Sequence, residues 1–116
     1  MREVDDWRTP ATAELVETIL ELPDRAEAER FLRDLLTLNE IHDLAQRWQV
    51  VLLLAEGLHY AEISARTGAS TATITRIASW LRHGTGGYQA ALARAGRRRD
   101  LLPASAATSG KAGGPA

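Results

Sequence analysis

Three observations predict an all-α fold with a helix-turn-helix at its centre. Apolar residues recur at spacings of three and four along most of the chain. Helix-capping residues stand ahead of the periodic segments, and no stretch alternates as a half-buried strand would. The segment that organises the rest is HYAEISARTGASTATITRIASWLRHG, residues 59–84.

Residues 1–9 are polar and are expected to be flexible. Pro10 suits the first turn of a helix, where its missing N–H would be unpaired in any case. Leu15, Ile19 and Leu22 form the apolar stripe of that helix, which must end before Pro23. Asp24 is the expected N-cap of a second helix, with Glu27 completing a capping-box-like pair. Leu32, Leu35 and Leu36, with Phe31 beside them, are its expected buried face. Thr37-Leu38-Asn39-Glu40 is a full capping box opening a third helix, which runs to about Glu56 and stops at Gly57. The second half of that helix, WQVVLLLA (residues 48–55), is apolar on every side and so must be buried on every side. A chain this small has difficulty burying such a helix alone, which predicts a homodimer with intertwined helices.

In the central segment the first helix is expected over about Tyr60–Thr67, with Ile63 inward. Gly68 follows where the chain turns, in the left-handed conformation that glycine adopts without steric cost. Ser70 or Thr71 caps the next helix, whose stripe is Ile74, Ile77, Ala78 and Leu81. Ser64 is the small residue that two crossing helices require. Ser70, Thr71, Thr73, Thr75, Arg76 and Ser79 remain as an exposed polar face on a helix slim enough for a DNA major groove. After the Gly86-Gly87 break, a short helix is expected over Tyr88–Ala95, with Ala91 and Leu92 inward. From Gly96 the composition, GRRRDLLPASAATSGKAGGPA, lacks the apolar surface to fold and is expected to be disordered. The domains are thus 1–9, a flexible N-terminus; 10–95, a helical dimerisation and helix-turn-helix domain with the motif at about 59–83; and 96–116, a disordered basic, Ala/Gly-rich tail.

The 116 residues carry a net charge of −1, but its distribution is uneven. Residues 1–46 balance at −7 and residues 47–116 at +6, and the positive half holds the helix-turn-helix. Such asymmetry fits a protein that meets phosphates on one face and stays solvated on the other. There is no cysteine, so disulfides and thiolate metal sites are excluded. No apolar signal segment and no membrane-spanning run are present, so the cytoplasm is the expected compartment and no membrane partner is expected. Glu40, His42 and Asp43 superficially suggest metal or acid–base chemistry, but no second cluster completes a site. No nucleophile–base pair or phosphate-cradling loop occurs either. An enzyme, a metal and a cofactor are therefore not expected.

Three segments carry a family resemblance: LLTLNEIHDLAQRWQVVLLLAEG, EISARTGASTATITR and WLRHGTGGYQAAL. Across roughly Leu32–Leu92 the chain resembles the Trp repressor superfamily, specifically its YerC/YecD-type TrpR-related group. The resemblance implies an intertwined all-α homodimer that presents two reading heads to a palindromic operator in double-stranded DNA. By this likeness Thr71, Ala72 and Thr75 approach base edges, while Ser70, Thr73 and Arg76 hold phosphates, with internal packing against the third helix as the other candidate role of Arg76. Basic residues of the family's first reading helix are missing near Ala61 and Ser64, so their electrostatic role passes to Arg47, Arg66, Arg76, Arg82 or the tail.

In the Trp repressor, the corepressor tryptophan lies between two arginines. Arg47 and Arg76 match them, and Thr37 matches a residue near the ligand's amino group. Two positions depart from the pattern. Ile77 replaces a glycine that leaves room for the indole, and Trp80 replaces a serine that contacts the amino group. A branched side chain and a built-in indole in that space argue against L-tryptophan as a ligand. Ile77 and Trp80 are expected to fill the pocket themselves, and Trp48 and Trp80 to belong to the core. The implied function is a sequence-specific transcriptional regulator of the repressor type. The alternatives are a protein-interaction module that uses the motif as scaffold, and a regulator that answers to another small molecule.

Overall fold

The computed structural model describes residues 6–101, of which side chains are described through Arg98. The described residues form six helices: α1 (Pro10–Leu20), α2 (Arg25–Leu35), α3 (Leu38–Ala55), α4 (Tyr60–Thr67), α5 (Thr71–His83) and α6 (Gly87–Leu101). None of them is long and apolar enough to cross a membrane. The chain divides into two compact units, residues 1–41 and 42–116.

In the first unit the helix starts follow from their caps. Pro10 opens α1, and Thr9 and Thr12 form a reciprocal box: Thr12 N–H donates to Thr9 Oγ1 at 3.1 Å, and Thr9 N–H to Thr12 Oγ1 at 2.8 Å. The Thr12 hydroxyl also reaches the Trp7 carbonyl at 2.6 Å. Residues 7–9, expected to be flexible, are thereby tied to α1; residues 1–5 lie outside the described residues. Asp24 caps α2 by accepting from Glu27 N–H at 2.9 Å, while the Glu27 carboxylate pairs with Arg30 at 3.2 Å. The Thr37–Glu40 box forms in both directions, at 2.9 and 3.1 Å.

The apolar faces of α1 and α2 are another matter. Neither helix contains a buried residue. Leu32 and Leu35, expected on a buried face, are 41% and 48% exposed, and Leu15 and Ile19 are exposed as well. Leu22, Phe31 and Leu36 of the same expected faces are half-buried.

The second unit holds the core. Val50, Val51, Ile63 and Ile74 are fully enclosed, with Leu53, Ala69 and Ile77 joining them. Trp48, Leu54, Leu58, Tyr60, Leu81, Tyr88 and Leu92 pack around this centre. Each enclosed aliphatic side chain contributes about 1.5–3 kcal/mol of burial free energy. Of the apolar run 48–55, Val50–Leu53 are buried within the chain itself, while Trp48 and Leu54 are half-buried and Gln49 and Ala55 exposed. Gly57 ends this stretch with φ of 86°.

The C-terminal helix departs most from expectation. It was expected to end at Ala95, but α6 continues through Gly96 to Leu101. Arginine is a good helix former, and one glycine costs only about 1 kcal/mol in a helix interior. Ala95 is buried, which anchors α6 just before that glycine. Of the expected disordered tail, residues 102–116 lie outside the described residues.

Candidate nucleic-acid interface

The helix-turn-helix is fastened by side chains that reach main-chain carbonyls. Gly68 takes φ of 80°, and its N–H donates to the Ser64 carbonyl at 2.8 Å. The Ser64 hydroxyl then crosses the turn to the Ala69 carbonyl at 2.7 Å. Thr67 Oγ1 donates to the Ile63 carbonyl at 2.8 Å and accepts from Ala69 N–H at 3.1 Å. From α3, Gln46 Nε2 donates to the Thr67 carbonyl at 2.9 Å. Ala69 is buried beneath these bonds. Three otherwise unpaired groups, the Thr67 carbonyl and the Ala69 N–H and carbonyl, are thus satisfied by side chains, and the corner is set. Sequence reading found Gly68 but saw in Ser64 only its small size, and it missed Gln46. A single polar side chain reaching a carbonyl leaves no periodic trace.

Ser70, one of the two expected caps, opens α5 by accepting from Thr73 N–H at 3.1 Å. Ile74, Ile77 and Ala78 turn into the core. Ser70, Thr71, Ala72, Thr75, Arg76 and Ser79 are exposed, and Thr73 is half-buried. Thr75 Oγ1 donates its hydrogen to the Thr71 carbonyl at 2.9 Å, so toward a ligand it can only accept or offer its methyl group. Arg76 donates to Thr73 Oγ1 at 3.3 Å. At the far end, Gln89 Nε2 holds the Leu81 carbonyl at 3.0 Å, and the Trp48 and Tyr88 rings lie 6.4 Å apart.

The remaining expected basic contacts differ in their surroundings. Arg66 is exposed and paired with Glu62 at 2.8 Å, which offsets part of its charge toward a further anion. Arg47 and Arg82 are exposed and in no ion pair shown among the described residues. His59 precedes α4 without a side-chain cap bond, and His83 is the last residue of α5. Among the described residues no group of carboxylates and histidines could hold a metal ion.

The corepressor-like residues do not share one environment. Ile77 is 5% exposed and part of the core cluster, as its place on the α5 stripe requires. Trp80, expected in the core, is 58% exposed. Its ring lies against Gly84, where an added Cβ would come within 2.8 Å of Trp80 Cε3. The α5 stripe is completed by Ala78 and Leu81 instead, and position 80 falls outside it. Thr37 belongs to the first unit, where it caps α3. The groove of about 210 Å³ lined by Gln46, Gln49, Leu53, Arg66 and Thr67 involves none of these five residues.

Residues 11–96 match the family model of the Trp repressor protein. The chain belongs to the Trp repressor family. Two solved structures of Trp repressor-like proteins superpose closely. A TrpR-like protein from Eubacterium eligens ATCC 27750 does so with a TM-score of 0.75 and 39% identity, over 85% of this chain and 98% of that one. A putative Trp repressor from Staphylococcus aureus gives a TM-score of 0.76 and 41% identity, over 83% and 95%. YerC of Bacillus subtilis (strain 168), an uncharacterized protein, is 45% identical over 92 residues, which cover 79% of this chain and 88% of YerC. The all-α Trp repressor-like fold expected from the sequence is the fold observed. Trp repressor family membership makes a helix-turn-helix regulator the coarse functional class.

Proposed function

We propose that the protein is a dimeric, sequence-specific DNA-binding transcriptional regulator that acts without L-tryptophan. One observation carries the reading. The face of α5 bearing Ser70, Thr71, Ala72, Thr75 and Arg76 is free to solvent, while its opposite stripe is locked into the core. A rigid helix with a short-chained polar face fits a major groove, and Thr71, Ala72 and Thr75 face base edges there. Ser70, Thr73 and Arg76 contact phosphates, supported by Arg82 and by Arg66 with its Glu62 partner. Short side chains leave much of the readout to water, methyl contacts and DNA shape.

The dimer is supported by α1 and α2, whose exposed Leu15, Ile19, Leu32 and Leu35 have the spacing of a face made for another helix. Independence from tryptophan is supported by Ile77, whose burial occupies the position where the family's ligand needs a glycine. The pocket reading now rests on Ile77 alone, since Trp80 is exposed.

Fluorescence anisotropy of labelled duplex DNA at rising salt tests the interface. The expected result is a log affinity that falls linearly with log salt, with a slope reduced by about one in Arg76→Ala. Absence of binding even at low salt contradicts the proposal.

A further inference from the structure

We infer that Thr73 is a positioning residue that aims the Arg76 guanidinium at its phosphate. The inference rests on the DNA-binding reading above and names the residue that prepares it. Three polar side chains on α5 and its cap form one connected string. The Ser70 hydroxyl donates to Thr73 Oγ1 at 3.0 Å, and Arg76 Nη2 donates to the same oxygen at 3.3 Å. Ser70 is itself held, because its oxygen accepts Thr73 N–H at 3.1 Å.

Counting hydrogens shows what this leaves. A hydroxyl oxygen has two lone pairs and one hydrogen. Both lone pairs of Thr73 are taken, one by Ser70 and one by Arg76, so toward any further group Thr73 can only donate. Arg76 likewise keeps four of its five N–H donors and accepts nothing. Ser70 has given its hydrogen to Thr73 and keeps one lone pair, so the donors of the string are the Thr73 hydroxyl and the Arg76 guanidinium, and phosphate oxygens only accept. An exposed arginine loses substantial rotamer freedom when it is fixed on a ligand. Tethering at Thr73 removes part of that cost before DNA arrives. In this chain the tether runs from the helix cap through side chains of α5 itself, so no small molecule is needed to place Arg76.

A double-mutant cycle on the full-length protein tests the inference, with a duplex that the wild-type protein selects from a random pool. Thr73→Val keeps the branched shape and removes the hydroxyl, and Thr73→Ser keeps the hydroxyl. Thr73→Ala takes the place of the valine variant if that one does not fold by circular dichroism. The expected result is about a tenfold loss of affinity in Thr73→Val and recovery to within about twofold in Thr73→Ser. On an Arg76→Ala background, the valine substitution is expected to cost no more than about threefold, the part owed to the Thr73 hydroxyl itself. Wild-type affinity in Thr73→Val, or the same loss with and without Arg76, overturns the positioning role and leaves the regulator reading in place. A wild-type protein that selects no duplex overturns both.

Discussion

Gly68 and Ser70 decide the corner of the helix-turn-helix within three positions. At φ of 80°, Gly68 occupies a region where a Cβ crowds the following carbonyl, although the space around it is open apart from Gln46 Nε2 at 3.7 Å. Gly68→Ala is therefore expected to lower unfolding free energy by about 1–2 kcal/mol through backbone strain, measured by urea denaturation. Ser70→Ala removes the α5 cap and is expected to cost about 1 kcal/mol in the same measurement. It also cuts the string to Arg76, so its loss of DNA affinity is expected to exceed what its stability change explains. These residues were legible in the sequence because glycine and N-cap serine act through their own backbone. Ser64 and Gln46 were not, because their partners are carbonyls fixed only once the helices have packed.

At the scale of elements, periodicity located every helix among the described residues, and errors arose where a helix's surroundings decide its fate. The run Val50–Leu53 is enclosed by residues of the same chain, whereas Trp48 and Leu54 on either side of it are only half-buried. Conversely, Leu15, Ile19, Leu32 and Leu35 of the α1 and α2 stripes stay exposed while Leu22, Phe31 and Leu36 are half-buried, since periodicity names a face but not its partner. Trp80 shows the same limit, because a large aromatic invites placement in the core although its position falls off the α5 stripe. α6 was ended too early because a glycine followed by arginines reads as a tail. Gly96 sits within that helix with open space where a Cβ would go. Gly96→Ala is accordingly expected to raise helix content and to stabilise the C-terminal segment by about 0.5–1 kcal/mol, seen by circular dichroism and thermal unfolding.

The whole molecule is organised by two asymmetries, one of charge and one of surface. The first 46 residues balance at −7 and the remainder, which holds the helix-turn-helix, at +6, a distribution that suits the proposed contact with phosphates. The N-terminal unit carries the exposed Leu15, Ile19, Leu32 and Leu35, a surface suited to a second copy. Sedimentation equilibrium is expected to give the mass of two chains. Leu32→Glu with Leu35→Glu, which buries charge in the proposed interface, is expected to shift the protein to the mass of one. Two reading heads related by a two-fold axis then require half-sites separated by roughly one helical turn, about 34–36 Å.

The most direct test of this account is selection of duplexes from a random DNA pool by the purified protein, near physiological salt, with and without L-tryptophan. The account predicts one palindromic site recovered equally in both arms, at the half-site spacing of a dimer. Enrichment only in the presence of tryptophan would contradict the reading of Ile77, and no enriched site in either arm would contradict sequence-specific DNA binding itself.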